Sequence, residues 1–261
     1  MNSYVRLFFI LRLFAVLLPA AFVAGCYPPA TVPLDIIRYD AGKEKDPRLL
    51  LVFLPGNGDP VSVFQENGFV EAVRERGLAA DMIAVNAHIG YYRNGSIFER
   101  LREDVIGPAK AKGYAQIWMI GNSLGGYGSI SYARGYPDDI TGVILLGPFL
   151  GDKAMFQEIE QAGGLQKWRP SHNNSSPKKD WGKFLWLWLK DHAQQERLSG
   201  HNGGFPWIYL GYGRDDRFSY GQSFMASFMP PEHVIAIDGG HDWSTWKTLW
   251  TRFLDQNIFG P

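Results

Sequence analysis

Cysteine is almost missing from this chain of 261 residues: Cys26 is the only one. Beyond that position the chain can form no disulfide, offers no thiol nucleophile and has no thiolate metal site. An excess of charge is missing as well. Lysine plus arginine and aspartate plus glutamate both total 26, so the formal net charge is +0. Nucleic-acid binding depends on a basic excess that neutralises phosphates, and none exists here. There is no His-Glu-x-x-His and no acidic calcium loop, so no metal is expected, and no cofactor either. The Gly-Lys-Ser/Thr of a phosphate loop is also absent. After Gly126-Tyr127-Gly128, the position that a dinucleotide fingerprint fills with glycine holds Ser131.

What is present is apolar. Hydrophobic residues make up 46% and charged residues 20%, a globular balance that excludes disorder, and nine Trp supply bulk for a core. Leu49–Leu54 is a continuous apolar run closed by Pro55-Gly56-Asn57-Gly58, the pattern of a strand buried on both faces. Similar runs occur at Met82–Val85, Ala115–Ile120, Gly142–Leu146, Pro206–Leu210 and Val234–Ile237. Amphipathic stretches, among them Phe64–Arg76 and Ile97–Lys112, lie between them. Strand and helix in alternation predict an α/β fold with a mostly parallel central sheet flanked by helices. One segment, 151–204, shows no strand pattern yet is far longer than the ~12–15 residues of a plain loop. It must hold elements of its own. Trp181–Leu189 is apolar nearly all round, which predicts a helix within a cap over the sheet.

The N-terminus differs from the rest. Residues 7–25 are nearly all apolar, and Arg6 and Arg12 are the only charged side chains before Cys26, as in an export signal. The end of this stretch, Val23-Ala24-Gly25-Cys26, resembles the lipobox of bacterial lipoproteins. That resemblance implies removal of residues 1–25, a lipid on Cys26 and anchoring in the bacterial cell envelope. Arg12 and Pro19 fit poorly in a spanning helix, and an ordinary secretory signal leaves Cys26 unexplained. Processing would remove two of the 26 basic residues and no acid, leaving a balance of −2. Attachment would then come from the acyl chains and not from the protein surface. Residues 26–33, with three prolines, read as a tether, and 34–261 as the folded domain with the cap at 151–204.

The chemistry concentrates in Gly121-Asn122-Ser123-Leu124-Gly125-Gly126, between the run Ala115–Ile120 and the helical stretch Leu124–Arg134. A Gly-x-Ser-x-Gly turn from strand to helix leaves a serine hydroxyl free at the carboxyl end of a sheet. Serine needs a base, and His241, in Gly239-Gly240-His241-Asp242, follows the last strand run, at the sheet edge where catalytic groups collect. His88, His172, His192, His201 and His233 are less well placed. An acid must orient the base, and Asp215 or Asp216, after the run Pro206–Leu210, can do so. The Leu124 amide offers one oxyanion donor; Asn57 or Gly58 can offer the second.

These residues, in this order, resemble the α/β-hydrolase superfamily, and the match spans most of the domain. The resemblance implies about eight strands, a cap after the sixth, and Gly-x-x-Asp after the seventh, which fits Gly213 to Asp216 and selects Asp216 over Asp215. It also implies the triad Ser123, Asp216 and His241 with an oxyanion hole from Leu124 and Asn57. The frequent His-Gly of the oxyanion loop is Pro55-Gly56 here, and backbone amides do that work in either case. The expected reaction is hydrolysis of a small-molecule carboxylic ester, with thioesters and amides as neighbours. A perhydrolase or lyase using the same residues, or a non-catalytic anchored binding lipoprotein, are the rival classes. The tryptophans of 181–189 either receive an acyl or aromatic group or simply pack the cap onto the sheet.

Overall fold

The computed structural model describes residues 27–41, 48–170, 181–199 and 204–259. The expected export signal and Cys26 lie outside the described residues. Among those described, no helix is long and apolar enough to cross a membrane. The first strand, β1 (Ile36–Tyr39), precedes β2 (Leu49–Leu54), the short helices α1 (Val63–Glu66) and α2 (Phe69–Glu75), and β3 (Ala80–Val85). Then come α3 (Ile89–Asn94), α4 (Ile97–Leu101), α5 (Gly107–Lys112), β4 (Gln116–Asn122), α6 (Leu124–Gly135) and β5 (Gly142–Leu146). The segment 151–204 contributes α7 (Lys153–Gln161) and α8 (Trp181–Ser199), and the chain closes with β6 (Trp207–Gly213), α9 (Ser219–Ala226), β7 (Val234–Ile237) and α10 (Trp243–Asp255).

The described strands form one seven-stranded sheet in the order β1-β3-β2-β4-β5-β6-β7, where about eight were expected. All neighbours are parallel except β1, which runs antiparallel to β3 at the edge. The sequence pattern did not mark β1. It is a four-residue strand with one buried side chain, Tyr39, so it lacks the apolar run of a central strand.

Side chains alternate across the sheet as strand geometry requires. On β2, Leu50, Val52 and Leu54 join the core under α4, α5, α6, α8 and α9, whereas Leu49, Leu51 and Phe53 face α1, α2 and α10. Both helical layers interrupt the expected amphipathic stretches. Gly68, at φ 76, divides Phe64–Arg76 into α1 and α2. Between α4 and α5 the chain makes a π turn over Arg102–Ile106. Pro108 lacks an N–H and its ring collides with the carbonyl four residues back, which opens the helix there.

Residues 27–33, expected as a tether, lie against the domain. The Thr31 N–H donates to the Tyr91 hydroxyl at 3.1 Å, and the Arg93 guanidinium sits 3.7 Å over the Tyr27 ring. Within 151–204, Trp186 is fully buried; its Nε1 donates to the Leu150 carbonyl at 2.9 Å and its ring meets Phe156, Phe224 and Phe228. Its role is packing.

α10 is anchored by Trp250, fully buried, stacked on Phe69 at 5.8 Å, edge-on to Phe53 and donating from Nε1 to the Phe69 carbonyl at 3.1 Å. Trp250→Ala is expected to cost about 3–5 kcal/mol of stability, from the lost burial and the cavity left behind. The readout is a lower denaturant midpoint at unchanged slope.

Candidate active site

β4 runs two residues beyond its expected end, to Asn122, because its register with β2 and β5 continues: Leu54 opposes Gly121, and Asn122 opposes Leu146. The chain then reverses into α6 through Ser123, at φ 50 and ψ −113. A non-glycine residue at positive φ costs of order 1–3 kcal/mol and persists only where its surroundings impose it. Here backbone contacts do so. The Ser123 N–H donates to the Leu146 carbonyl at 3.1 Å, and its own carbonyl accepts from the N–H groups of Tyr127 and Phe149, both at 3.2 Å. The flanking glycines follow from clearance. A Cβ on Gly121 would lie 2.2 Å from the Gly125 carbonyl oxygen, and one on Gly125 would lie 2.0 Å from that of Leu54. No side chain fits at either position.

The turn leaves the Ser123 hydroxyl 2.9 Å from His241 Nε2. On the other side of the ring, Nδ1 lies 2.8 Å from Asp216 Oδ2. Asp216 is buried, and its second oxygen accepts from the Phe218 N–H at 2.8 Å. An ionised carboxylate only accepts, so the proton sits on Nδ1, which leaves Nε2 to accept the serine proton. Asp215, the alternative acid, is exposed, and Arg214 pairs with Asp238 at 2.9 Å instead of with either aspartate of its own turn.

The imidazole is clamped by aromatic edges. Phe218 meets it at 5.0 Å and Trp246 at 4.9 Å, both nearly perpendicular. Gly147, at φ 54, leaves the space in which Asp216 and Trp246 approach: a Cβ there would stand 2.8 Å from Asp216 Oδ2 and 2.6 Å from Trp246 Nε1. Neither Gly147 nor the aromatic pair carried a signal in the sequence. A glycine at a strand end and a tryptophan in an amphipathic helix are both ordinary features.

The other sequence-predicted site residues are placed as follows. Leu124 opens α6, so its N–H belongs to the first turn, where donors have no partner within the helix. The loop after β2 runs beside the serine: a Cβ on Gly56 would be 3.6 Å from Ser123 Cβ. Asn57 follows, exposed, at the rim. Cys26 is not among the described residues. Of the remaining histidines that are described, His88 caps α3 by accepting from the Gly90 N–H, and His192 bonds the Pro206 carbonyl. Burial lowers the pKa of His192 and of His233, which favours their neutral form.

Residues 96–183 match the family described as serine aminopeptidase, S33, a stretch that includes Ser123 but neither Asp216 nor His241. No curated protein matches the sequence. Solved structures resemble most of the chain. A ferulic acid esterase aligns with a TM-score of 0.57 at 15% identity, over 86% of this chain and 97% of that one. An S-formylglutathione hydrolase from Staphylococcus aureus aligns with a TM-score of 0.55 at 13% identity, over 89% and 99%. An alpha/beta hydrolase enzyme from a sediment metagenome of the lagoon of Mar Chica, Morocco, gives 0.53 at 16%, over 87% and 94%. Likeness at such identities is likeness of architecture. With its sheet order, its helical layers and these neighbours, the chain has the α/β-hydrolase fold.

Proposed function

We propose that this protein is a serine hydrolase that cleaves carboxylic esters or thioesters through an acyl-enzyme on Ser123. The observation that carries the reading is the unbroken hydrogen-bonded line from the Ser123 hydroxyl through His241 to buried Asp216, at 2.9 and 2.8 Å. Two fold neighbours, a ferulic acid esterase and an S-formylglutathione hydrolase, fit the same reaction class.

In the proposed reaction, Ser123 Oγ attacks the acyl carbonyl carbon while His241 Nε2 takes the hydroxyl proton. Negative charge moves to the carbonyl oxygen, where the amides of Leu124 and Asn57 hold it. Asp216 stabilises the imidazolium and keeps its Nδ1 proton in place. The C–O or C–S bond of the leaving group then breaks, and His241 returns the proton to it. Water, deprotonated by the same imidazole, attacks the acyl-enzyme, and the acid leaves with Ser123 restored. Strain at the serine turn supports the assignment, because strained backbone persists where function requires a fixed direction.

A fluorophosphonate probe is expected to label the wild-type protein once and Ser123→Ala not at all. Ester turnover should fall by about 10⁶ in Ser123→Ala and His241→Ala, and by about 10⁴ in Asp216→Asn, which supports the wrong imidazole tautomer. A Ser123→Ala protein with full esterase activity would defeat the reading.

We further propose that the chain is exported and anchored through a lipid on Cys26. The apolar stretch 7–25 and the sequence Val23-Ala24-Gly25-Cys26 support this. Expressed in a bacterial host, the full chain should incorporate labelled fatty acid and fractionate with membranes. Cys26→Ala should lose both properties; unchanged incorporation in that variant would reject the anchor.

A further inference from the structure

One cavity beside the triad is used by nothing described so far. It has a volume of about 270 Å³, and its walls include Lys153 and Phe156 of α7, Arg217 and Phe218 just before α9, and Tyr220 and Gly221 in the first turn of α9. It begins one ring away from the reacting groups. Phe218 lines it and at the same time faces the His241 imidazole edge-on at 5.0 Å. Phe149, whose N–H donates to the Ser123 carbonyl, meets Phe218 at 5.2 Å. The cavity and the imidazole thus share the Phe218 ring as a common wall.

Two kinds of surface meet there. Phe156 and Tyr220, edge-on at 5.7 Å, and Phe218 provide apolar, ring-shaped walls. Lys153 and Arg217 provide positive charge, and both are exposed. Among the described residues neither makes an ion pair, unlike Arg214, which is held by Asp238. Of the acids near these walls, Asp152 accepts from the Met155 N–H and caps α7, Asp216 serves His241, Glu160 raises the pKa of the Tyr220 hydroxyl, and Asp215 is exposed. The Arg217 guanidinium lies 4.9 Å over the Phe218 ring, so its charge is held at the cavity wall by a cation–π contact.

We infer that this cavity selects esters whose apolar or aromatic portion ends in a carboxylate, with Arg217 and Lys153 as the specificity-determining residues. The inference rests on the hydrolase reading of Ser123 and supplies its substrate class. A planar guanidinium pairs with a carboxylate through two parallel hydrogen bonds, and a lysine beside it adds a second positive charge. Three aromatic walls suit a flat body between the ester and that anion.

The test compares matched esters. 4-Acetoxybenzoate against 4-acetoxybenzamide, and monomethyl terephthalate against its amide, place the anion on the alcohol or the acyl side. The wild-type protein is expected to prefer the carboxylate in at least one pair by about tenfold in kcat/KM, mostly through KM, and less at high salt. In the double variant Arg217→Gln, Lys153→Gln the preference should fall to about unity, while Arg214→Gln, outside the cavity, keeps it. No carboxylate preference in either pair, or a preference that survives the double variant, overturns the inference. Should no ester be turned over and no fluorophosphonate label appear, the hydrolase reading fails by itself. Calorimetry with naphthalene-2-carboxylate and naphthalene-2-carboxamide then decides the cavity. Tighter carboxylate binding that the double variant loses upholds the site; equal binding of the two ligands rejects it.

Discussion

The site depends on one turn. Between β4 and α6 the backbone passes through Ser123 at φ 50, a conformation that L side chains avoid, and three backbone hydrogen bonds hold it there. The turn works only because carbonyl oxygens of Leu54 and Gly125 occupy the space that side chains at 125 and 121 would need. Parallel β2 and β4 set that distance, so the direction of the serine hydroxyl is a consequence of the sheet and not of the loop alone. A rigid element thereby fixes the position of a reactive group, which a mobile loop would leave to chance.

The imidazole and the carboxylate arrive from further along the sheet. Gly213 ends β6, and Gly239 and Gly240 follow β7; a Cβ at Gly213 would lie 2.1 Å from the Gly239 carbonyl oxygen. These two strand ends touch through backbone, and that contact brings Asp216 under His241. Burial of Asp216 would be costly for an unpartnered carboxylate; here both oxygens accept, one from Phe218 and one from His241. Phe218 thus has three tasks: its amide satisfies the acid, its ring braces the base, and its outer side lines the neighbouring cavity.

Under the proposed reading, that economy links the reaction centre to substrate selection. The same loop that carries Asp216 carries Arg217 next in sequence, with one side chain buried toward the imidazole and the other exposed at the cavity. α7 completes the cavity from the segment 151–204, which sets Lys153 and Phe156 opposite that loop. Under the hydrolase reading, chemistry resides in the sheet-end loops, and selectivity arises where the insertion meets one of them.

The sequence by itself determined the central architecture, since five of the six parallel strands are runs of side chains buried on almost every position, and a run buried on both faces is readable without its neighbours. It also marked Gly121-Asn122-Ser123-Leu124-Gly125, because only glycine satisfies the clearance at that turn. It left Asp215 and Asp216 open until a family resemblance chose between them; tertiary structure separates the two, one exposed and one buried against His241. The edge strand β1, the space at Gly147, the aromatic clamp of Phe218 and Trp246, and the cationic cavity were decided only by the fold. Each of them depends on contacts between residues distant in the chain, and no local pattern of hydrophobicity or turn chemistry records such contacts.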